Sequence, residues 1–91
     1  MDEFVIRKIE VVNKLGLHAR PAAAVVKAAA AFKSEIFLVK EGTRINAKSI
    51  MGVMMLAAEF GSSLDVEASG EDAQAAADAI AAVFEGKFGE E

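Results

Sequence analysis

Leu64, Val66 and Ala68 alternate with Asp65 and Glu67, giving this segment one apolar face and one acidic face. A strand patterned this way is covered on one side only, because the acidic side belongs in water. It therefore rules out a sheet buried on both faces and calls for helices to form a second layer. Two such helices are legible. Alanine, the best helix former, dominates from Ala19 to about Ala31, with Ala22, Val25, Val26, Ala29 and Phe32 spaced to face a core. Pro21 fits there because it falls in the first turn, where its missing N–H would have no partner. After Gly70 the pattern predicts a last helix, with Glu71 and Asp72 in the first turn, where the helix dipole favours acids. Its buried stripe is Ala73, Ala76, Ala77, Ile80, Ala81 and Phe84.

The remaining elements follow from composition and turn signals. Val5 to Val12 is rich in β-branched residues and reads as a first strand. Ser34 to Lys40 and Thr43 to Ala47 read as a hairpin closed at Glu41-Gly42, with Ile36 and Leu38 on one face and Phe37 and Val39 on the other. Together, Phe37 and Val39 would make a small apolar patch that suits self-association. Ser49 introduces a short helix through about Leu56, and Gly61-Ser62-Ser63 separates it from the alternating strand. The order is β-α-β-β-α-β-α, an α+β open-faced sandwich of two layers in which residues 1–91 form one domain. The tail from Gly86 to Glu91 should fray.

Several functional classes are disfavoured at this point. A chain of 91 residues builds one modest core but no deep cleft walled on all sides. No apolar run approaches the ~18 residues that a bilayer requires. The acidic start Met1-Asp2-Glu3-Phe4 lacks a secretion-signal pattern, and with no cysteine present a cytoplasmic location is expected. Charge is divided along the chain. Residues 1–48 hold nine Lys/Arg against five Asp/Glu, and residues 49–91 hold Lys87 against nine acids. Lys14, Arg20, Lys27, Arg44 and Lys48 read either as solvated side chains or as a basic rim steering an acidic partner or a phosphate. The overall negative charge and the absence of aromatic-basic interleaving disfavour nucleic acid.

The chemistry-bearing residue is His18, the only histidine, within Gly16-Leu17-His18-Ala19-Arg20-Pro21. With no second histidine and no cysteine, it belongs to no internal metal cluster and to no cysteine-histidine pair. Its place near the N-cap of the alanine-rich helix sets it beside unpaired backbone N–H groups and a partial positive charge, a seat for phosphate. The neutral form of an imidazole is a nucleophile. The local pattern alone is equally that of a polar cap beside a solvated arginine and a plain helix-starting proline.

Two longer stretches carry a resemblance. Asn13, Gly16, Leu17, His18, Ala19, Arg20, Pro21 and Ala22 resemble the active-site signature of the HPr family, the histidine-containing phosphocarriers of the bacterial sugar phosphotransferase system. Asn46-Ala47-Lys48-Ser49-Ile50-Met51-Gly52-Val53-Met54 is similar to that family's second signature. The resemblance implies an antiparallel sheet of order 1-4-2-3 with three helices on one side. It implies that His18 accepts a phosphoryl group on Nδ1 from phosphorylated enzyme I, itself charged by phosphoenolpyruvate, and donates it to a histidine of a sugar-specific enzyme IIA. Arg20 would contact the phosphate, and Ala19 and Arg20 would offer backbone amides. The implied protein is a carrier rather than a turnover enzyme, needing no metal or cofactor and working as a monomer.

Ser49 reads on its own as an N-cap worth about 1 kcal/mol over alanine. By resemblance it is also the target of an HPr kinase. Ile50, Met51 and Met54 fit a core at helical spacing. By resemblance they form, with Leu17, the surface that docks enzyme I and enzyme IIA, leaving Val53 and Leu56 to face inward. A nitrogen-regulatory carrier, an adaptor or corepressor acting by binding, and a small phosphohydrolase using Arg20 are the competing readings.

Overall fold

The computed structural model describes residues 3–89. Strands β1 (Glu3–Glu10), β2 (Glu35–Lys40), β3 (Thr43–Asn46) and β4 (Ser63–Gly70) form one antiparallel sheet in the order β1-β4-β2-β3. Helices α1 (Ala19–Ala30), α2 (Ile50–Met55) and α3 (Ala73–Glu85) complete the α+β sandwich. No helix among the described residues is long and apolar enough to cross a membrane.

The alternating strand is central. β4 lies between β1 and β2 with Val66 opposite both Arg7 and Leu38, and its Leu64, Val66 and Ala68 are buried. Ile36 and Leu38 join them under α1 and α3, whose Ala22, Val25, Ala29, Ala73, Ala76, Ala77, Ile80, Ala81 and Phe84 are buried as their spacing predicts. Small alanines let α3 lie close to the sheet and α1 pack beside α3, so a chain with few large side chains still closes its core.

The structure corrects four details. β1 ends at Glu10, two residues short of the β-branched run, because β4 begins opposite it at Ser63 and the chain beyond turns at Gly61. Val11 keeps hydrogen bonds to that turn, donating to the Ser62 carbonyl at 2.9 Å and accepting from the Gly61 amide at 2.8 Å. A strand ends where its partner leaves, whatever its own composition. At the chain end, Lys87–Gly89 do not fray but form a 3₁₀ turn, with Phe88 edge-on to Phe84 at 4.8 Å between ring centres. The last two tail positions, 90 and 91, lie outside the described residues.

Phe37 and Val39 are only half-exposed, and the Arg44 guanidinium lies 3.6 Å over the Phe37 ring while pairing with Glu67 at 3.1 Å. The more open apolar residues on that face are Phe4 and Ile6 of β1, 62% and 56% exposed.

Asp72 is the fourth correction. It precedes α3 as its N-cap without making a side-chain cap, and no acid occupies the first turn. Its carboxylate instead accepts hydrogen bonds from the backbone amides of Lys33 and Ser34, both at 2.9 Å, and from the Ser34 hydroxyl. The Ser34 hydroxyl and the Lys33 amide hold its pKa down at about 2, below the ordinary 3.8. Because the folded value is depressed, this clamp stabilises the fold fully above pH 3.8 and is lost as pH falls toward 2. Melting temperatures of wild type and Asp72→Asn should accordingly differ most near neutrality and converge through that acid window.

Candidate functional site

The loop before α1 is built to fix one short segment. Asn13 is fully buried, and its Nδ2 donates to the Gly16 carbonyl at 2.9 Å. Gly16 adopts φ +70°, and the Leu17 amide donates to the Ala58 carbonyl at 2.9 Å, tying the loop to the turn that follows α2. A side chain on Gly16 would place Cβ 2.5 Å from the Ala58 oxygen, so only glycine permits this approach. His18 follows as the N-cap of α1, with extended backbone angles and no side-chain hydrogen bond to the helix. Its ring is partly exposed, and Nε2 is the buried edge, with less than 1 Å² accessible.

Hydrogen bonding along α1 begins with the Ala22 amide donating to the His18 carbonyl at 2.9 Å. Of the three positions before Ala22, Pro21 has no N–H, so the amides without an intrahelical acceptor are those of Ala19 and Arg20. Proline thereby narrows the positive end of the helix to two donors beside the imidazole. Ala19 and Arg20 are exposed, so an anion can reach both amides and the guanidinium fork. His18, Ala19 and Arg20 are thus brought together.

The other sequence candidates divide. Ser49 caps α2, its Oγ accepting from the Gly52 amide at 3.1 Å. Ile50, Met51 and Met54 are 43%, 72% and 43% exposed, whereas Val53 and Leu56 are buried. Leu17, expected at a docking surface, is only 6% exposed and belongs to the core. Residue type alone did not reveal that its amide bond to Ala58 turns the side chain inward. Sequence reasoning also missed Leu15, Met55 and Phe60, which are 77%, 73% and 63% exposed. Met55 lies one helical turn past Met51, a signal that was available. Leu15 and Phe60 lie in the two loops joined by the Leu17–Ala58 bond, which no local pattern announces.

The basic rim is smaller than the sequence suggested. Lys48 donates to the Phe32 carbonyl at 2.8 Å, and Arg44 is engaged with Glu67 and Phe37 on the open side of the sheet. Lys27 lies in the last turn of α1, about two and a half turns from His18.

Residues 5–86 match the family model described as "PTS HPr component phosphorylation site". The phosphocarrier protein HPr of Treponema pallidum is 51% identical over 87 residues, covering 96% of this chain and 99% of that protein. The chain belongs to the HPr family. A crystal structure of HPr-C-His from Thermoanaerobacter tengcongensis superimposes with a TM-score of 0.91 at 45% identity, covering 96% of this chain and 98% of the other. The HPr-like protein Crh of Bacillus subtilis is 50% identical over 78 residues, 86% of this chain and 92% of Crh. Crh has been solved as a dimer. The strand order, three helices and length of this HPr-family chain agree with the solved relatives.

Proposed function

We propose that this protein carries a phosphoryl group on Nδ1 of His18, taking it from phosphorylated enzyme I and giving it to a histidine of an enzyme IIA in the cytoplasm. The observation that supports this most is the placement of one imidazole, Nε2 inward, at a helix end where two amides and Arg20 remain available. The covered Nε2 supports what the HPr resemblance implies, that the attacking nitrogen is Nδ1. Its lone pair forms the new P–N bond while the P–N bond to the donor imidazole breaks and that electron pair returns to the donor ring. The Ala19 and Arg20 amides and the Arg20 guanidinium stabilise the charge on the transferring oxygens. The same geometry serves the return step, because a shallow site with few ligands lets the group leave. The phosphorylated chain is used up in stoichiometric amount, as befits a carrier and not a turnover enzyme. His18, Ala19 and Arg20 are consecutive in one chain, which supports the monomer as the working unit in this reading.

Incubation with enzyme I and phosphoenolpyruvate, followed by intact mass, tests the reading. One acid-labile phosphate per chain is expected, and none would overturn it.

Ser49 is the regulatory position in this reading, phosphorylated by an HPr kinase/phosphorylase. It is half-exposed and directly precedes the docking residues Ile50, Met51 and Met54. A phosphate there adds nearly two negative charges at the edge of a surface that meets acidic partners. Ser49→Asp should slow phosphoryl uptake from enzyme I by about tenfold at limiting protein, read by quenched-flow phosphorylation. An unchanged rate would remove the electrostatic explanation.

A further inference from the structure

The chain has four methionines and no cysteine, and three of the four lie in the six-residue α2. Met51, Met54 and Met55 fall at i, i+3 and i+4, the spacing that puts side chains on one helical face. They are 72%, 43% and 73% exposed, unusual for a residue type that is mostly buried. With no thiol in the chain, these thioethers are the most accessible two-electron reductants among the described residues.

The helix itself does not depend on them. Val53 and Leu56 hold it to the core, Ser49 caps its start, and the Lys40 ammonium donates to the Leu56 and Ala57 carbonyls at its end, at 3.5 and 3.4 Å. A change confined to the methionine sulfurs therefore alters what the face can bind while leaving the fold in place. The face also adjoins the nucleophile's loop, because the turn leaving α2 accepts the Leu17 amide through Ala58.

We propose that Met51, Met54 and Met55 are a peroxide-sensitive modification site that gates phosphoryl uptake. This rests on the reading of α2 as a docking surface for enzyme I. In the step, the methionine sulfur gives two electrons to hydrogen peroxide. The O–O bond breaks, one oxygen joins sulfur as a sulfoxide, and the other leaves with the protons as water. An exposed sulfoxide is hydrated at no cost. Under an apolar partner it becomes a polar group stripped of water, so docking weakens. His18 keeps its position and its nucleophilicity throughout. Reduction of the sulfoxide by methionine sulfoxide reductases reverses the change.

The full-length protein is treated with hydrogen peroxide, and sulfoxides are located by peptide mapping, which separates Met1 from the other three. Thermal melting checks the fold, and the rate of phosphorylation by enzyme I and phosphoenolpyruvate is measured before and after treatment. Oxidation at Met51 and Met55 should be complete first, with an unchanged melting profile and an uptake rate reduced by about tenfold or more. Methionine sulfoxide reductases should restore the rate. In the triple variant Met51→Leu, Met54→Leu, Met55→Leu, the ratio of treated to untreated rates should stay near unity, whatever the starting rate. The proposal is overturned if the three sulfoxides form with no loss of rate, if they resist peroxide that oxidises free methionine, or if the triple variant loses rate like wild type. Untreated protein that takes no phosphoryl group would instead overturn the carrier reading itself.

Discussion

His18→Ala should take phosphoryl uptake from one group per chain to none under conditions that fully charge the wild type. The effect is complete rather than partial because the chain contains no second imidazole and no thiol to substitute. A phosphate that formed on Ser49 would be distinguished by its stability in acid, which phosphohistidine lacks. The substitution should leave folding intact. The imidazole makes no capping bond to α1, and its removal leaves the Leu17–Ala58 bond and the Ala22–His18 backbone bond in place. A stability change within about 1 kcal/mol is expected by chemical denaturation. Loss of uptake with retained stability assigns the chemistry to this ring, whereas an acid-labile phosphate on the variant would place it elsewhere.

What could be read from the chain, and what could not, follows one physical division. Periodicity reports which side of an element meets apolar neighbours, so β4, α1 and α3 and their buried faces were legible from spacing alone. Pro21 fixed the first turn of α1 and therefore the N-cap position of His18. Features that depend on a distant partner were not legible. The end of β1 is set by where β4 begins, and Asp72 serves Lys33 and Ser34 across the fold in place of its own helix. Arg44 covers Phe37 only because the hairpin and β4 bring Glu67 alongside. At the site, the covered Nε2 and the inward turn of Leu17 both reflect loop geometry. That geometry includes Ala57 at φ +51°, a conformation for which alanine gives no signal. The resemblance to HPr supplied the roles of residues whose placement the pattern alone left open.

The loop makes the strongest structural demand at Gly16, and Gly16→Ala should be the most damaging single-methyl addition among the described glycines near His18. Two costs combine. At φ +70° an alanine incurs the left-handed penalty, about 1–2 kcal/mol. Its Cβ would also lie 2.5 Å from the Ala58 oxygen and 3.1 Å from Glu59 Cα, both backbone atoms that no rotamer change can move. Relief requires separating the His18 loop from the turn after α2, which breaks the 2.9 Å Leu17–Ala58 bond. A total loss of about 2–4 kcal/mol is expected by denaturant titration. Gly42→Ala provides the comparison: φ is +85°, with nothing within 4 Å of the added carbon, so only the conformational penalty applies. The hairpin variant should charge with phosphate at the wild-type rate. The loop variant should charge more slowly even at temperatures where it is fully folded, because the segment that carries His18 is no longer held to the turn after α2. Equal losses of stability in the two variants would mean that close backbone packing does not hold the loop. A folded Gly16→Ala protein with an undiminished rate would show that the tie to Ala58 is not what aims His18.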